Sequence, residues 1–159
     1  MQPLYIFDLD GTTIDSSHRL GDGTVKDWRR LSTPASIARD TLLPLARTLL
    51  NLLSDAKDCV ILTSRVMSSH DYNYLTANGF DAPVYSRDVG DDRLPGAYKY
   101  SQLARIAIER GCTLDQLAQS AVIYDDDWDV LDTLTRRGFT VLNATRYNHA
   151  ITSILEFIK

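Results

Sequence analysis

Five short apolar runs, spread along the chain and rich in Val, Ile and Tyr, constrain the fold more than any other feature. They show little alternation of apolar and polar residues, which is typical of strands covered on both faces of a sheet. Helical patterns separate most of them, and alternating strands and helices predict a parallel sheet with right-handed crossovers. We therefore predict an α/β fold with a doubly wound, parallel, five-stranded sheet. The predicted strands are Leu4–Phe7, Cys59–Leu62, Ala82–Tyr85, Ala121–Tyr124 and Thr140–Leu142.

The helices between these strands can be placed by leucine spacing and by end signals. After Asp40, leucines recur at helical spacing, with Asp40 available as a cap and Pro44 tolerable in the first turn. Two later helical patterns end at Gly111 and Gly138, as glycine often ends a helix.

The composition indicates one globular domain. Of the 159 residues, 44% are hydrophobic and 24% are charged, which is ordinary for a folded domain and unlike a disordered chain. We predict a single domain over residues 1–159. Residues 14–39 are polar and too long for an ordinary connection, so we expect them to form a small lid or cap insertion.

Charge, apolar length and cysteine content exclude several classes of protein. The net charge is −4 without a run of basic residues, which argues against a broad nucleic-acid surface. No segment approaches the ~20 apolar residues of a membrane span. Cys59 and Cys112 lie far apart and are expected to be reduced packing residues. We expect a cytoplasmic protein without membrane contact, and its oligomeric state stays open.

Charged and hydroxyl residues follow the predicted strands, at the edge where open α/β sheets bind their ligands. The sequence DLDGT (residues 8–12) follows the first strand, TSR (residues 63–65) the second and DDD (residues 125–127) the fourth. Lys99 opens the helix between the third and fourth strands. Carboxylates, hydroxyls and cations therefore converge on one edge of the sheet, which predicts a site.

The residue types at this edge indicate phosphoryl chemistry with a metal ion. Clustered carboxylates are tolerable when they hold a hard cation, and Mg²⁺ prefers one or two carboxylates together with waters and a substrate phosphate. Lys99 and Thr63 are placed to cradle a phosphoryl group. Asp8 and Asp10 are one residue apart, and such a pair can divide the nucleophile and acid/base roles between them.

The order of DLDGT, TSR, a lysine and a DD pair resembles the haloacid dehalogenase (HAD) superfamily of phosphohydrolases. The motifs span residues 8–126, and the resemblance implies a Rossmann-like core and a Mg²⁺-dependent phosphatase that works through an aspartyl-phosphate. By that resemblance Asp8 is the nucleophile and Asp10 is the acid/base. Thr63 binds a phosphoryl oxygen, and Lys99 steadies the nucleophile and the transferring charge.

The same resemblance implies the metal ligands and the residues that contact substrate. Asp8 and Asp126 hold Mg²⁺ together with the backbone carbonyl of Asp10, and Asp125 lies beside them. Whether Asp125 or Asp126 is the main ligand stays open. The substrate-binding residues are expected to be Thr12, Ser64 and Arg65.

Within the superfamily, the chain is most similar to the phosphatase domain of bacteriophage polynucleotide kinases. The likeness rests on TSR (residues 63–65) and on the run over residues 125–138. It implies removal of 3′-phosphates from a DNA or RNA end. The chain departs from that pattern where Asp127-Trp128 stands in place of the usual arginine. It also has no GxxxxGK[ST] stretch, so the kinase half is absent.

Two other functions stay open. One is a small-molecule phosphatase, either a nucleotidase or a sugar phosphatase, and the other is a phosphate-binding module without turnover. Small insertions favour an open site that admits a polymer end, and Arg65 is placed to take a second phosphate oxygen. Charge and one aromatic face near a nucleic-acid end are expected from Arg19, Lys26, Trp28, Arg29 and Arg30.

Overall fold

A computed structural model describes residues 1–19 and 31–159 of the chain. Its centre is a five-stranded sheet in which every neighbouring pair is parallel. The strands are β1 (Leu4–Phe7), β4 (Asp58–Leu62), β5 (Val84–Tyr85), β6 (Ala121–Asp125) and β7 (Thr140–Asn143). Their order across the sheet is β5-β4-β1-β6-β7. The predicted doubly wound α/β sheet is confirmed.

Helices cover both faces of this sheet. One face carries α4 (Pro95–Glu109), α5 (Leu114–Ser120) and α6 (Trp128–Arg136), and the opposite face carries α2 (Pro44–Ser54), α3 (Ser69–Ala77) and α7 (Ala144–Phe157). Neighbouring residues of β1 belong to different faces: Ile6 packs with the first group of helices and Phe7 with the second. The apolar runs lack alternation because both faces of each central strand are buried.

Four of the five predicted strands and one predicted cap differ from the structure. β4 begins one residue earlier than predicted, at Asp58, and β7 ends one residue later, at Asn143. β5 is confined to Val84–Tyr85, because Pro83 has no N–H to donate to the ladder. β6 continues to Asp125, so the first residue of the acidic run belongs to the strand. The cap assigned to Asp40 is wrong: α2 begins after Leu43 without a side-chain cap, and the Asp40 carboxylate instead accepts hydrogen bonds from earlier residues. The ends at Gly111 and Gly138 are confirmed, both with positive φ (65° and 85°).

The region predicted as a lid is described at its two ends. It contains β2 (Ile14–Asp15), a 3₁₀ turn (Ser17–Arg19) and α1 (Pro34–Ile37). β2 pairs in antiparallel fashion with β3 (Thr41–Leu42), which ties this region to the start of α2. That the region acts as a lid stays a prediction. The expected contributions of Lys26, Trp28, Arg29 and Arg30 lie outside the described residues.

The described ranges, residues 1–19 and 31–159, contain no helix that combines the length and apolar character needed to cross a membrane.

Candidate active site

Asp8 stands at the carboxyl end of β1, where it contacts a buried lysine. Its backbone N–H donates to the carbonyl of Tyr124 on β6 (3.0 Å), which fixes the strand end. Lys99, on the second turn of α4, donates through Nζ to Asp8 Oδ1 at 2.7 Å and to Asp125 Oδ2 at 2.5 Å. All three side chains are buried. The lysine therefore links the first and fourth motifs at the edge of the sheet.

Asp125 and Asp126 complete an acidic group at this edge. Carboxylate oxygens of Asp8, Asp125 and Asp126 lie within 4.8 Å of one another. The hydroxyl oxygen of Thr12 lies 3.4 Å from Asp8 Oδ2 and 3.3 Å from Asp126 Oδ1, so its single hydrogen can be donated to either carboxylate. We name Asp8, Lys99, Asp125 and Asp126 the Asp8 cluster.

Backbone geometry brings the DLDGT loop against this cluster. Gly11 has a φ of +76°, and a Cβ on it would lie 2.2 Å from Asp126 Oδ2. Only glycine fits there, because any side chain would both strain the backbone and displace the carboxylate. The next acidic residue has a different role: Asp127 caps α6 by accepting from the N–H groups of Asp129 (2.9 Å) and Val130 (3.3 Å).

Charge in the Asp8 cluster is unbalanced, because three carboxylates face one lysine. Burial raises the pKa of Asp8 well above its usual value, and although Lys99 opposes the rise, Asp125 and Asp126 add to it. Burial and the neighbouring Asp125 likewise raise the pKa of Asp126 to about 6. Burial alone would lower the pKa of Lys99, but attraction to Asp125 and Asp8 outweighs it and raises that pKa. A divalent cation fits this donor set, since it needs several carboxylate oxygens and supplies the missing positive charge.

Only Leu9 separates Asp10 from Asp8, yet the Asp10 side chain makes a different set of contacts. Arg65 donates to it from Nε, 3.1 Å from Asp10 Oδ2, and from Nη2 to Oδ1. Ser16 donates to the same Oδ1 at 2.5 Å. The two aspartates of the first motif are therefore separated: one lies against a lysine in the acidic group and the other against an arginine.

A pocket of about 400 Å³ opens over both aspartates. Thr63 and Thr12 are fully buried and do not line it. The Thr63 hydroxyl oxygen accepts the N–H of Arg65 at 3.0 Å. The buried hydroxyl of Ser64 has no hydrogen-bond partner among the described residues, although Ser64 lines the pocket. The predicted site residues that line it are Asp8, Asp10, Ser64, Arg65, Lys99, Asp125 and Asp126.

No sequence motif pointed to one wall of this pocket, the segment between β5 and α4. Arg87, Asp91 and Arg93 of this segment line the pocket. Arg87 donates to the carbonyls of Ser64 (3.1 Å) and Arg93 (2.8 Å), so it holds the segment to the second motif. The signal was available, because this segment follows a strand at the same edge of the sheet.

Comparison with known proteins extends over nearly the whole chain. Residues 1–158 match the family described as bacteriophage T5 5′-deoxynucleotidase. The 5′-deoxynucleotidase of Escherichia phage T5 is 31% identical over 166 residues, which cover 90% of this chain and 67% of that protein.

Several solved structures share the fold at low identity. A haloacid dehalogenase-like hydrolase from Streptococcus pneumoniae aligns with a TM-score of 0.66, 15% identity and 99% coverage of both chains. A HAD-superfamily hydrolase from Geobacter sulfurreducens has a TM-score of 0.61 and 14% identity, covering 90% of this chain and 89% of that one. A chain of the Pnkp1/Rnl/Hen1 RNA repair complex has a TM-score of 0.64 and 19% identity, covering 89% of this chain and 42% of that one. This chain therefore spans less than half the length of that repair protein.

Proposed function

The chain belongs to the bacteriophage T5 5′-deoxynucleotidase family, and from that premise we propose that it releases phosphate from deoxynucleoside 5′-monophosphates. It is a phosphatase of the HAD superfamily, so the superfamily predicted from the four motifs is confirmed. The single observation that carries the proposal is the buried Asp8 carboxylate, 2.7 Å from Lys99 Nζ, beneath a pocket of about 400 Å³.

In the proposed first step, Asp8 attacks the phosphorus of the substrate. A bond forms between an Asp8 carboxylate oxygen and phosphorus, the bond from phosphorus to the 5′-oxygen breaks, and Asp10 gives its proton to that oxygen. Lys99 donates a charged hydrogen bond to Asp8 and so holds the carboxylate in place.

In the proposed second step, Asp10 acts as a base. It takes a proton from a water molecule that attacks the phosphorus, and the bond to Asp8 breaks to release inorganic phosphate. Contact of Thr63 with a phosphoryl oxygen stays a prediction, because its side chain is buried and does not line the pocket. Its hydroxyl oxygen accepts from the Arg65 N–H, which leaves the hydroxyl hydrogen for such a contact. The Ser64 hydroxyl, without a partner among the described residues, is a second such donor.

We propose Mg²⁺ as the cofactor of this site. Asp8, Asp125 and Asp126 would hold it through their carboxylates, with the backbone carbonyl of Asp10 as a further ligand. The ion would supply positive charge that offsets the charge of the phosphoryl group. The excess of carboxylates over lysine in the Asp8 cluster supports this assignment.

The size and charge of the pocket support a mononucleotide substrate. About 400 Å³ lies within the range of roughly 300–1,000 Å³ that small-molecule sites occupy. The cations that line it are engaged within the protein: Lys99 with two carboxylates, Arg65 with Asp10, and Arg87 and Arg93 with Asp91. This arrangement differs from the continuous positive groove that follows a polynucleotide backbone.

Removal of 3′-phosphates from DNA or RNA ends is the second candidate function. It is favoured by Trp128, which directly follows the acidic run and is 77% exposed. Together with the half-exposed Arg93 side chain, it provides the aromatic face and the cation that a terminal nucleotide can use.

A panel of substrates at fixed Mg²⁺ and low salt tests the proposal. The panel holds deoxynucleoside and ribonucleoside 5′-monophosphates, a 3′-phosphorylated oligonucleotide and a sugar phosphate. We expect a deoxynucleoside 5′-monophosphate to have the highest kcat/KM, by tenfold or more, which is about 1.4 kcal/mol of transition-state preference. If the oligonucleotide leads by that margin, the second candidate replaces the first. Binding of these compounds without release of phosphate would contradict both.

The reaction is expected to take place in the cytoplasm. Both cysteines of the chain, Cys59 and Cys112, are free thiols, which is typical of a reducing compartment.

A further inference from the structure

A buried ionic cluster joins the Asp10 carboxylate to the insertion and to α3. We propose that this cluster positions Asp10 for proton transfer, and that Arg65, Asp40 and Asp71 are positioning residues. The inference rests on the proposed function, because it assigns Asp10 the acid and base role. We name the cluster the Arg65 cluster, and its members are Asp10, Arg19, Asp40, Arg65 and Asp71.

Arg65 is the centre of the cluster and contacts Asp10 through two nitrogens. Nε and Nη2 both donate to the Asp10 carboxylate, and Nη1 donates to Asp71 Oδ1 at 2.6 Å. A planar guanidinium that donates to one carboxylate through two nitrogens fixes the plane of that carboxylate. Asp71 therefore holds the arginine, and the arginine in turn orients Asp10.

Asp40 connects this arginine to the insertion. Its Oδ2 lies 3.7 Å from Arg65 Nη2 and accepts from Arg19 Nη2 at 2.7 Å. Its Oδ1 lies 2.8 Å from His18 Nε2. Arg19 also donates from Nη1 to the carbonyl of Leu31 (3.0 Å), twelve residues later in the sequence. Both ends of the insertion thus meet at one buried carboxylate.

Asp71 connects the same arginine to α3. Its Oδ2 accepts from the backbone N–H of Ser68 (2.8 Å) and from the Ser68 hydroxyl (2.9 Å), while Ser68 caps the helix. A carboxylate at the third helical position also interacts favourably with the positive end of the helix. The capping box therefore sets the position of the carboxylate that grips Arg65.

Burial shows which member of the cluster is exposed to the pocket. The side chains of Asp40, Asp71, Arg65 and Arg19 are 0–3% exposed, while that of Asp10 is 14% exposed. Burial alone would lower the pKa of Arg65, but Asp10 and Asp71 outweigh it and raise that pKa, so the arginine stays charged.

This arrangement revises the role expected for Arg65. At least three of the five guanidinium N–H donors go to carboxylates of the protein. A residue that held the substrate phosphate would lower kcat/KM equally for all phosphate esters, because they share that group. A residue that positions a general acid affects most the esters whose leaving oxygen needs a proton.

Dependence on the leaving group therefore tests the inference. For Asp40→Asn and Asp71→Asn, kcat/KM is measured with a deoxynucleoside 5′-phosphate, whose leaving alkoxide needs a proton, and with an aryl phosphate whose leaving phenol is acidic. The parameter kcat/KM reports the steps up to formation of the phosphoenzyme, so the shared second step does not enter. We expect the fall with the nucleotide to exceed the fall with the aryl phosphate by at least tenfold, as for Asp10→Asn.

The matched control is Asp58→Asn. Asp58 also pairs with an arginine, Arg110, but at the amino end of β4 and at the surface. We expect it to leave the ratio of the two kcat/KM values unchanged. Arg19→Lys, which keeps the charge, serves as a milder variant should the others fold poorly, and circular dichroism checks the fold of each.

Equal falls in kcat/KM with both substrates in the folded variants would overturn the inference. Arg65 would then be assigned to binding of the substrate phosphate. The result does not depend on which phosphate ester the wild-type enzyme prefers. It is therefore separate from the substrate panel, whose failure would change the proposed substrate and leave the leaving-group ratio standing.

Discussion

The Asp8 cluster and the Arg65 cluster each contain one aspartate of the DLDGT loop, and the two clusters differ in how far cations balance their carboxylates. Each has three carboxylates, two of them buried, but the first has one lysine and the second has two arginines and the neighbouring His18. The first is therefore short of positive charge. Burial raises the pKa of Asp8 and of Asp126, and the neighbouring Asp125 adds to the rise of both. The second is nearly balanced by its own side chains.

The difference indicates what each cluster is built to do. A cluster that lacks positive charge is stabilised when a cation binds, so it suits a metal ion together with a phosphoryl group. A balanced cluster gains little from a ligand, and its many hydrogen bonds fix orientation instead. Asp8 and Asp10 can thus take different roles, because different neighbours surround them.

The largest expected effect is the loss of turnover when Asp8 is replaced, compared with replacement of Asp127 beside the Asp8 cluster. Asp8→Asn should lower kcat by about 10⁴-fold or more, because the amide cannot act as the attacking group. Asp127→Asn is the matched control, since asparagine also caps helices well, and it should keep nearly full activity. Steady-state release of phosphate measures both. Substantial turnover by the Asp8→Asn protein would exclude a covalent role for Asp8.

Replacing the basic side chain at the centre of each cluster should show whether the two clusters respond differently to Mg²⁺. Arg65→Met leaves buried carboxylates without their partner and should lower the free energy of unfolding by about 3–5 kcal/mol. Lys99→Met should cost a similar amount without metal, but Mg²⁺ should restore part of the loss, because the ion replaces the missing charge. Urea unfolding with EDTA and with Mg²⁺ measures both. Restoration of both variants by Mg²⁺, or of neither, would break the distinction between the clusters.

Much of this site could be predicted from the sequence, because parallel strands place their carboxyl ends at one edge. Asp8, Lys99, Asp125 and Asp126 meet as the strand-end rule requires. The Arg65 cluster could not be predicted, since Asp40 lies between α1 and β3 and Asp71 in the first turn of α3, away from the strand ends. Their side chains reach Arg65 through tertiary packing that no local pattern encodes. The sequence favours a cap at Asp40, because a carboxylate before a helix usually has that role.

A smaller effect concerns metal and pH. Saturating Mg²⁺ at about 100 times its Kd should stabilise the fold by about 2.7 kcal/mol. For a chain of this length that corresponds to a rise in Tm of about 5–10 °C. Without metal, the pKa of Asp126 is raised to about 6 in the folded state, so the folded protein binds the proton more tightly than the unfolded chain. Its stability should then increase as the pH falls from about 7 through 6 toward 4.

With Mg²⁺ bound, that increase should disappear, because the cation now stabilises the charged carboxylates. Thermal melts in EDTA and in Mg²⁺ at several pH values measure the difference. A protein without metal that loses stability steadily over this pH range would show that the Asp8 cluster is not strained by its own charge.

The smallest effect is expected at Asp127, next to the Asp8 cluster but outside it. Asp127→Ala should lower the free energy of unfolding by about 1 kcal/mol through the lost cap of α6. The Mg²⁺ concentration for half-maximal activity should hardly change, whereas Asp126→Ala should raise it more than tenfold. Titration of activity with Mg²⁺ and urea unfolding compare the two. Equal shifts in the Mg²⁺ requirement would mean that the ligand is wrongly placed.

The most direct test is calorimetric titration of Mg²⁺ into the wild-type protein and into Asp126→Ala and Asp10→Asn. We expect one site per chain, lost or greatly weakened in Asp126→Ala and kept in Asp10→Asn, because the Asp10 side chain belongs to the Arg65 cluster and its backbone carbonyl is unchanged. Loss of binding in Asp10→Asn together with full binding in Asp126→Ala would contradict the division of the two aspartates between an ion-binding cluster and a positioning cluster.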